Sequence, residues 1–546
     1  MFRNRTLASF LLAIFLAAAL TSCGVFGSDD EGGGQQNQGG DNNTVKINLS
    51  ADIPDLNSTT TTDVVSFDML NNLNEGLFRL DENEEPQPAM AESVETSDDG
   101  LNYTFTLRDG IEWSNGDPVT SQDFKYAWLR AMNPDTAGQY SFIIADFLKG
   151  GGKFASGDSP ADIVGIETPD DKTLEVTLAN PAPFFLGLTA FPTYFPQNED
   201  FVKEQGDNYA QGPDSLLYNG PYTMTQFNSS DGATLKKNDG YWDADNVAIE
   251  TADLRVIKDV SSAVNLWESG DLDITSIDSD FFNEYEDSDE LLVLPEFTAW
   301  WLQMNLEDEV MSNKKIRQAI QKGIDTQAMA DEVLRDGSEP ATGLVPKGMS
   351  GPDDETFREA YGDVAPEFDP GEAKQLWEEG VQELGNTPTL ELLSGDTSTG
   401  KDLGTFVQAQ LQENLGAEVQ VNTQPFDRRL ELQKEGKFQM GLSGWGADYN
   451  DPMSFMDLWV TGGGFNDISF SNEEYDQLIE EAKTSADNQL RMNNMSEAEK
   501  ILIEQEAAIA PQYFAATPRL VKSGIENVIY HPYGAQLELK YMSIEQ

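Results

Sequence analysis

The chain has 546 residues and carries 96 Asp and Glu against 34 Lys and Arg, a formal charge of −62. Such an acidic body is a poor partner for nucleic acid or for an anionic membrane surface. One histidine and one cysteine rule out a His-rich zinc site, a thiolate cluster or an intrachain disulfide, and argue strongly against Ser-His-Asp or Cys-His catalysis.

The N-terminal residues read as an address rather than as fold. Arg3 and Arg5 form a basic start, and residues 7–20 form an apolar run too short to span a bilayer. Leu20-Thr21-Ser22-Cys23 follows and resembles a bacterial lipobox. The resemblance implies cleavage after residue 22 and acylation of Cys23, which would tie the protein to the membrane by a lipid. Residues 28–43 hold nothing apolar to bury and read as a disordered tether. The folded part is expected from about Thr44 to the C-terminus, long enough for two or three domains at roughly 150 residues each. Its acids are spread among regular apolar patterns, and aromatics make up 10% of the chain, which excludes a plain acidic tail. Self-repulsion of this size suits a medium in which salt shortens the Debye length to about 3 Å, and predicts an extracytoplasmic protein of a salty habitat.

Residues 45–49 alternate as a strand, followed by a Ser/Thr-rich loop over 52–63 and by Asn74-Glu75-Gly76-Leu77. Leu101, Tyr103, Phe105 and Leu107 alternate with polar residues after Asp99-Gly100, predicting a half-buried strand. Trp113-Ser114-Asn115-Gly116-Asp117-Pro118 comes next. Thr120 and Asp123 are spaced as a capping box, with Phe124, Ala127, Trp128 and Ala131 on one helix face. A further strand is expected over 174–178. Asn219-Gly220-Pro221-Tyr222 and Asn238-Asp239-Gly240-Tyr241-Trp242 mark turns beyond it.

Ser312 is placed to cap a helix with Ile316, Ala319, Ile320 and Ile324 on one side. A β-α-β-α-β rhythm then follows: strand 390–393, helix 402–415, strand 418–423, helix 426–434, strand 438–442. Such alternation implies an α/β sheet with ligands near strand ends. Just past the last strand stands Gly444-Trp445-Gly446-Ala447-Asp448-Tyr449-Asn450-Asp451-Pro452. Glycines beside a strand let another backbone approach closely. An aspartate in a Gly-rich loop is usually a turn former or a cap. Here Asp451, before Pro452, is placed to cap a helix through Met453–Met456, which leaves Asp448 without that duty. Acidic helices are expected over 472–486 and 496–509, with the chain crossing back near Arg519-Leu520-Val521.

These pieces together resemble the oligopeptide-binding proteins that feed ABC importers, solute-binding protein family 5, from Val45 to the C-terminus. The block from Asp98 to Phe124 and Gly444-Trp445-Gly446-Ala447-Asp448-Tyr449 are its most specific parts. The resemblance implies an α/β, class II periplasmic-binding-protein-like fold of two lobes closing about a hinge, plus an additional β-rich domain. The domains would run 45–78, 211–297 and 516–546 (first), 79–210 (second) and 298–515 (third). It implies a monomer with no cofactor and no metal, binding oligopeptides and delivering them to permease subunits, with the ATPase engaged indirectly. Asp448 would hold the ligand's α-ammonium. Gly444, Trp445 and Gly446, and from the other lobe Val65, Ser66 and Phe67, would offer backbone groups. Tyr140 would lean on the ligand, Trp300 and Trp301 would stand near hinge and cleft, and Phe426 would line a side-chain pocket. Core packing is the plain alternative for each aromatic.

One position departs from the pattern: Leu442 stands where some members carry an arginine for the ligand's carboxylate. Lys401, Arg428 and Arg429 are the substitutes at hand. Relatives of this architecture also carry nickel, haem or oligosaccharides, or report peptide signals without import. A carboxylate placed for an ammonium favours peptides.

Overall fold

The computed structural model describes residues 43–353 and 355–545. The leader, the tether and Cys23 lie outside the described residues. Among those described, no helix is long and apolar enough to cross a membrane.

Two sheets carry the architecture. The first strand, Thr44–Leu49, pairs in parallel with Thr251–Val256 and buries Val45 and Ile47 completely. Hairpin strands Gly232–Lys237 and Tyr222–Asn228 extend that edge. On its other side the sheet continues through Ile274–Ser276 into two long antiparallel strands, Leu291–Met304 and Ile509–Val521. Beyond them lie Met440–Gly446, Thr389–Gly395 and Glu418–Gln424, the last two paired in parallel. This far end is the β-α-β-α-β unit read from the sequence. Helices Ser398–Leu415 and Phe426–Lys434 fill the crossovers.

The second sheet is antiparallel, with strand order Ala91–Thr96, Asn102–Leu107, Thr173–Thr177, Ile166–Asp170. Tyr103, Phe105 and Leu107 are buried while Asn102 and Thr106 are exposed, as the alternation demands. The helix Ser121–Met132 packs beside it, with the Asp123 carboxylate taking the Thr120 N–H at 2.8 Å.

Leu291–Met304 and Ile509–Val521 are the crossings between the two ends of the large sheet. Their pairing slips between Pro295 and Ala299 and again between Trp300 and Trp301. At the first slip Phe297 donates its N–H to Pro532 and accepts from Ala447. The extra residues bend the bulged strand and sharpen its twist at this point.

Several boundaries differ from the sequence reading. Asn313, not Ser312, caps helix Lys314–Lys322, receiving the N–H groups of Lys315 and Ile316. The helix expected over 402–415 starts earlier, at Ser398, capped by Thr397. The helix expected over 496–509 starts earlier, as Asn488–Lys500 capped by Asp487, continues as a π-helical turn over Ile501–Gln505, and gives way to a strand at Ile509. The helix expected over 472–486 is observed as Glu473–Thr484.

Nearly all exposed ion pairs are isolated Lys–carboxylate or Arg–carboxylate contacts, and acids outnumber bases almost threefold. The melting temperature is expected to rise steeply between low salt and about 1 M KCl, as screening shrinks repulsion to about 3 Å. Equal melts in the two media would remove the case for a saline habitat.

Candidate functional site

The strand Met440–Gly446 runs straight through the glycine-tryptophan motif, which the sequence placed in a loop. One edge is fully used. Trp300 lies opposite Gly444, Ala299 opposite Trp445 and Thr298 opposite Gly446. The Gln439 carbonyl and the Ala447 N–H also point to that side, toward Asn305 and Phe297. Backbone direction alternates along a strand, so Leu442, Gly444 and Gly446 direct their N–H and C=O groups to the opposite edge. There the parallel partner ends at Gly441. The Leu442 carbonyl accepts Arg429 Nη1 at 2.6 Å. Gly444 and Gly446 have no backbone partner on that edge among the described residues. An unpaired strand edge is a template for another extended chain.

Gly444 has its own reason to lack a side chain. A Cβ there would lie 2.6 Å from Trp300 Cδ2 and 2.8 Å from Cε2. The indole of Trp300, stacked on Tyr513 at 5.7 Å, occupies the space. Gly444→Val is therefore expected to displace Trp300 and cost about 1–3 kcal/mol of stability, as overpacking does. A thermal melt within a degree of the parent would show that the indole yields freely.

At the end of this edge stands Asp448, partly buried. Its N–H is held by Ser454 Oγ at 3.1 Å, and Oδ1 lies 3.5 Å from the Tyr140 hydroxyl. Burial pushes the carboxyl up to about 7, against the lowering effect of the Tyr140 hydrogen bond. The same burial and the nearby carboxylate raise the Tyr140 phenol, so it remains a donor. Tyr140 is positioned by Phe191, stacked at 5.8 Å, and by the edge of Phe67 at 5.4 Å. No cation pairs with Asp448 among the described residues.

Two contacts beside it escaped the sequence reading. Tyr449 lies flat on Phe184, with centroids 4.3 Å apart at 4°, and meets the edge of Phe147 at 5.8 Å. Asp451 forms a two-pronged ion pair with Arg491 at 3.0 and 3.1 Å, both side chains buried. Asp451 also accepts the Met453 N–H at 2.9 Å, which is the capping duty expected of it, although Pro452 is the residue bounding helix Met453–Met456.

The remaining expected residues divide. Phe67 is buried and meets Tyr140 edge-on and Phe191 at 4.8 Å. Val65, Ser66 and Phe67 form the first turn of helix Val64–Leu73. Asp63 takes the Ser66 N–H through Oδ1 and the Phe67 N–H through its carbonyl. Those two amides are committed to the helix and cannot pair with a guest. Trp300 covers Gly444, whereas Trp301 points to the other face of the sheet, 4% exposed against Trp459 at 5.5 Å. Phe426 is 61% exposed at the start of its helix, with Arg429 5.6 Å from its ring. Of the three cations, Arg428 is paired with exposed Glu431, and Lys401 is exposed on helix Ser398–Leu415. Arg429 alone reaches the open edge.

Residues 85–467 match the model of the bacterial extracellular solute-binding proteins, family 5 Middle. The dipeptide-binding protein DppE of Bacillus subtilis is 35% identical over 481 residues, 87% of either chain. The oligopeptide-binding protein OppA of the same organism is 32% identical over 95% of this chain and 96% of its own. Among solved structures, Listeria monocytogenes OppA bound to peptide superposes with a TM-score of 0.77 at 37% identity, covering 92% of this chain and 99% of that one. The chain belongs to the bacterial extracellular solute-binding proteins of family 5.

Proposed function

We propose that this protein is the extracytoplasmic binding component of a peptide ABC importer. It captures oligopeptides in extended form and hands them to the permease subunits. The single observation that carries this reading is an open strand edge with a carboxylate at its end that pairs with no cation among the described residues. Gly444 and Gly446 offer backbone groups, and Asp448 offers the one charge that an amino terminus seeks. Backbone pairing gives affinity that ignores side chains, while the ammonium fixes register. A guest with its ammonium at Asp448 runs antiparallel to Met440–Gly446. Its far end then lies toward Leu442, about 13 Å beyond Gly446 at roughly 3.3 Å per residue. Arg429 stands there, and is the cation we assign to a short guest's carboxylate.

The relatives named for dipeptides and oligopeptides support the same cargo, and binding without chemistry is the work of the family. Acylation of Cys23 would hold the protein on the outer face of the cell membrane, within reach of the permease. Mass spectrometry of ligands released from protein purified under native conditions tests the reading. Peptides with free amino termini are the expected cargo, and nickel, haem or oligosaccharide in their place would overturn it.

A further inference from the structure

Residues 79–210, built on the second sheet, meet residues 298–515, at the far end of the large one. Among the described residues no backbone hydrogen bond and no ion pair joins these two stretches. The one side-chain hydrogen bond between them is Tyr140 to Asp448, at 3.5 Å. An arriving ammonium competes for that carboxylate, so this link depends on the guest. The aromatic contact beside it does not. Tyr449, alone among the partly buried apolar side chains described, packs against both the core holding Phe105 and Trp128 and the core holding Phe455 and Trp459. We infer that Tyr449 is a clasp: its ring, seated on Phe184, holds the two stretches together with or without a guest and thereby sets the affinity for every peptide alike. This inference rests on the peptide reading above.

Each side of the clasp is built on its own. Tyr449 projects from a pinned turn. Ser454 Oγ holds the Asp448 N–H, Asn450 Oδ1 takes the Ser350 N–H at 2.8 Å, and Asp451 is ion-paired with Arg491. The seat is equally fixed. Phe147 accepts the Ala179 N–H through its carbonyl at 2.8 Å. Phe184 leads into helix Phe185–Leu188, whose Phe185 is buried on Tyr103 at 4.9 Å. The Phe147 and Phe184 rings meet edge-on at 5.4 Å and 87°, leaving the face of Phe184 to Tyr449. Surfaces already shaped for each other lose little freedom when they meet. Burial of the ring and its stacking together shift the ratio of closed to open molecules by about ten- to a hundredfold. A guest that binds only the closed form has an apparent affinity proportional to the closed fraction. The clasp is therefore indifferent to the guest's sequence, and Tyr449 is a positioning residue.

Calorimetry with Gly-Ala-Ala and Leu-Ala-Ala tests the clasp. The first peptide has no leading side chain to touch the ring, so a loss that it suffers comes from closure. Tyr449→Ala is expected to weaken both peptides by the same factor, about ten- to a hundredfold, and Tyr449→Phe to stay within about threefold of the parent. Should Tyr449→Ala fold poorly, Phe184→Ala, on the other side of the stack, is expected to reproduce the uniform loss. Small-angle X-ray scattering supplies a readout that a local packing defect would not move. Guest-free Tyr449→Ala is expected to scatter as a more extended particle than the guest-free parent, and saturating Leu-Ala-Ala to restore the parent's curve. A loss confined to Leu-Ala-Ala overturns the clasp and makes Tyr449 a mere side-chain contact. Guest-free scattering unchanged in both alanine variants overturns it as well. Binding of neither peptide by the parent overturns peptide capture, and the scattering comparison then still decides the clasp.

Discussion

Asp448→Ala is expected to weaken binding of peptides with a free amino terminus by about thirty- to a thousandfold, and to change N-acetylated peptides little. The magnitude follows from the geometry. Truncating one partner of a desolvated charge pair costs about 2–5 kcal/mol, much of it the cost of leaving the other charge unpaired. Asp448 keeps some exposure, which places the expectation below the top of that range. The acetylated peptide has no ammonium to strand, so the same substitution removes nothing from it. Equal losses for both peptides would show that the side chain only supports the fold. The proton makes a second readout. The empty carboxyl titrates at about 7, and an arriving ammonium needs it ionised. Affinity therefore falls as pH drops below about 7, by up to tenfold per unit, until the complex itself takes up the proton. In Asp448→Ala that slope is absent. The sign for stability is opposite. A carboxyl whose folded value is raised contributes stability fully present below its unfolded value near 3.8, and lost as pH rises through about 7. The empty variant is thus expected to melt higher than the parent at pH 8, the stability that function gives up.

Much of this site was legible, and the misses have physical causes. Periodicity located the strand Asn102–Leu107 and the parallel unit around Thr389–Gly395, because burial on one face or both stamps a pattern on the sequence. The motif located Asp448. Its glycines argue for a loop, since glycine is depleted in strands. Pairing with Trp300 and Thr298 overrides that preference. Trp300 and Trp301 were both expected near the cleft, yet neighbours in a strand point to opposite faces. Parity alone could have sent one of them to the core. Asp63 before an apolar run was a readable helix start, obscured by the Ser/Thr-rich stretch preceding it. The Arg491–Asp451 pair and the Tyr449–Phe184 stack join residues 40 and 265 positions apart. No local signal encodes either.

Arg79→Ala is expected to cost about 3–5 kcal/mol of stability. Arg79 is 4% exposed, with Nε on Glu75 Oε1 at 2.9 Å, Nη1 on Glu538 Oε2 at 2.6 Å and Nη2 on the Asn71 carbonyl at 3.0 Å. Glu75 and Glu538 are both fully buried. Glu75 further accepts the Tyr241 hydroxyl and, at 2.6 Å, Trp242 Nε1. Removing the guanidinium leaves two carboxylates in the interior with their charge uncompensated, the costly half of a buried pair. The pH dependence separates this from lost packing. Burial alone would raise Glu538, and Arg79 with His531 more than offsets it, holding the carboxyl below its usual range. In the parent, that stability is present above the ordinary glutamate value and lost as pH falls through the depressed one. In Arg79→Ala, burial prevails at Glu538, and protonating it relieves the strain. The deficit is therefore expected to be large at pH 7 and to shrink toward pH 4. Adding Glu75→Gln and Glu538→Gln is expected to recover part of it at pH 7. A deficit independent of pH would mean that Arg79 acts by volume alone. The network also clips the C-terminal segment to the first helix, where Asp68 accepts the Gln536 and Leu537 N–H groups. That helix carries Phe67 against Tyr140. A loosened clip therefore reaches Asp448 through two packed rings, and the variant is expected to bind free-amine peptides more weakly even where it remains folded.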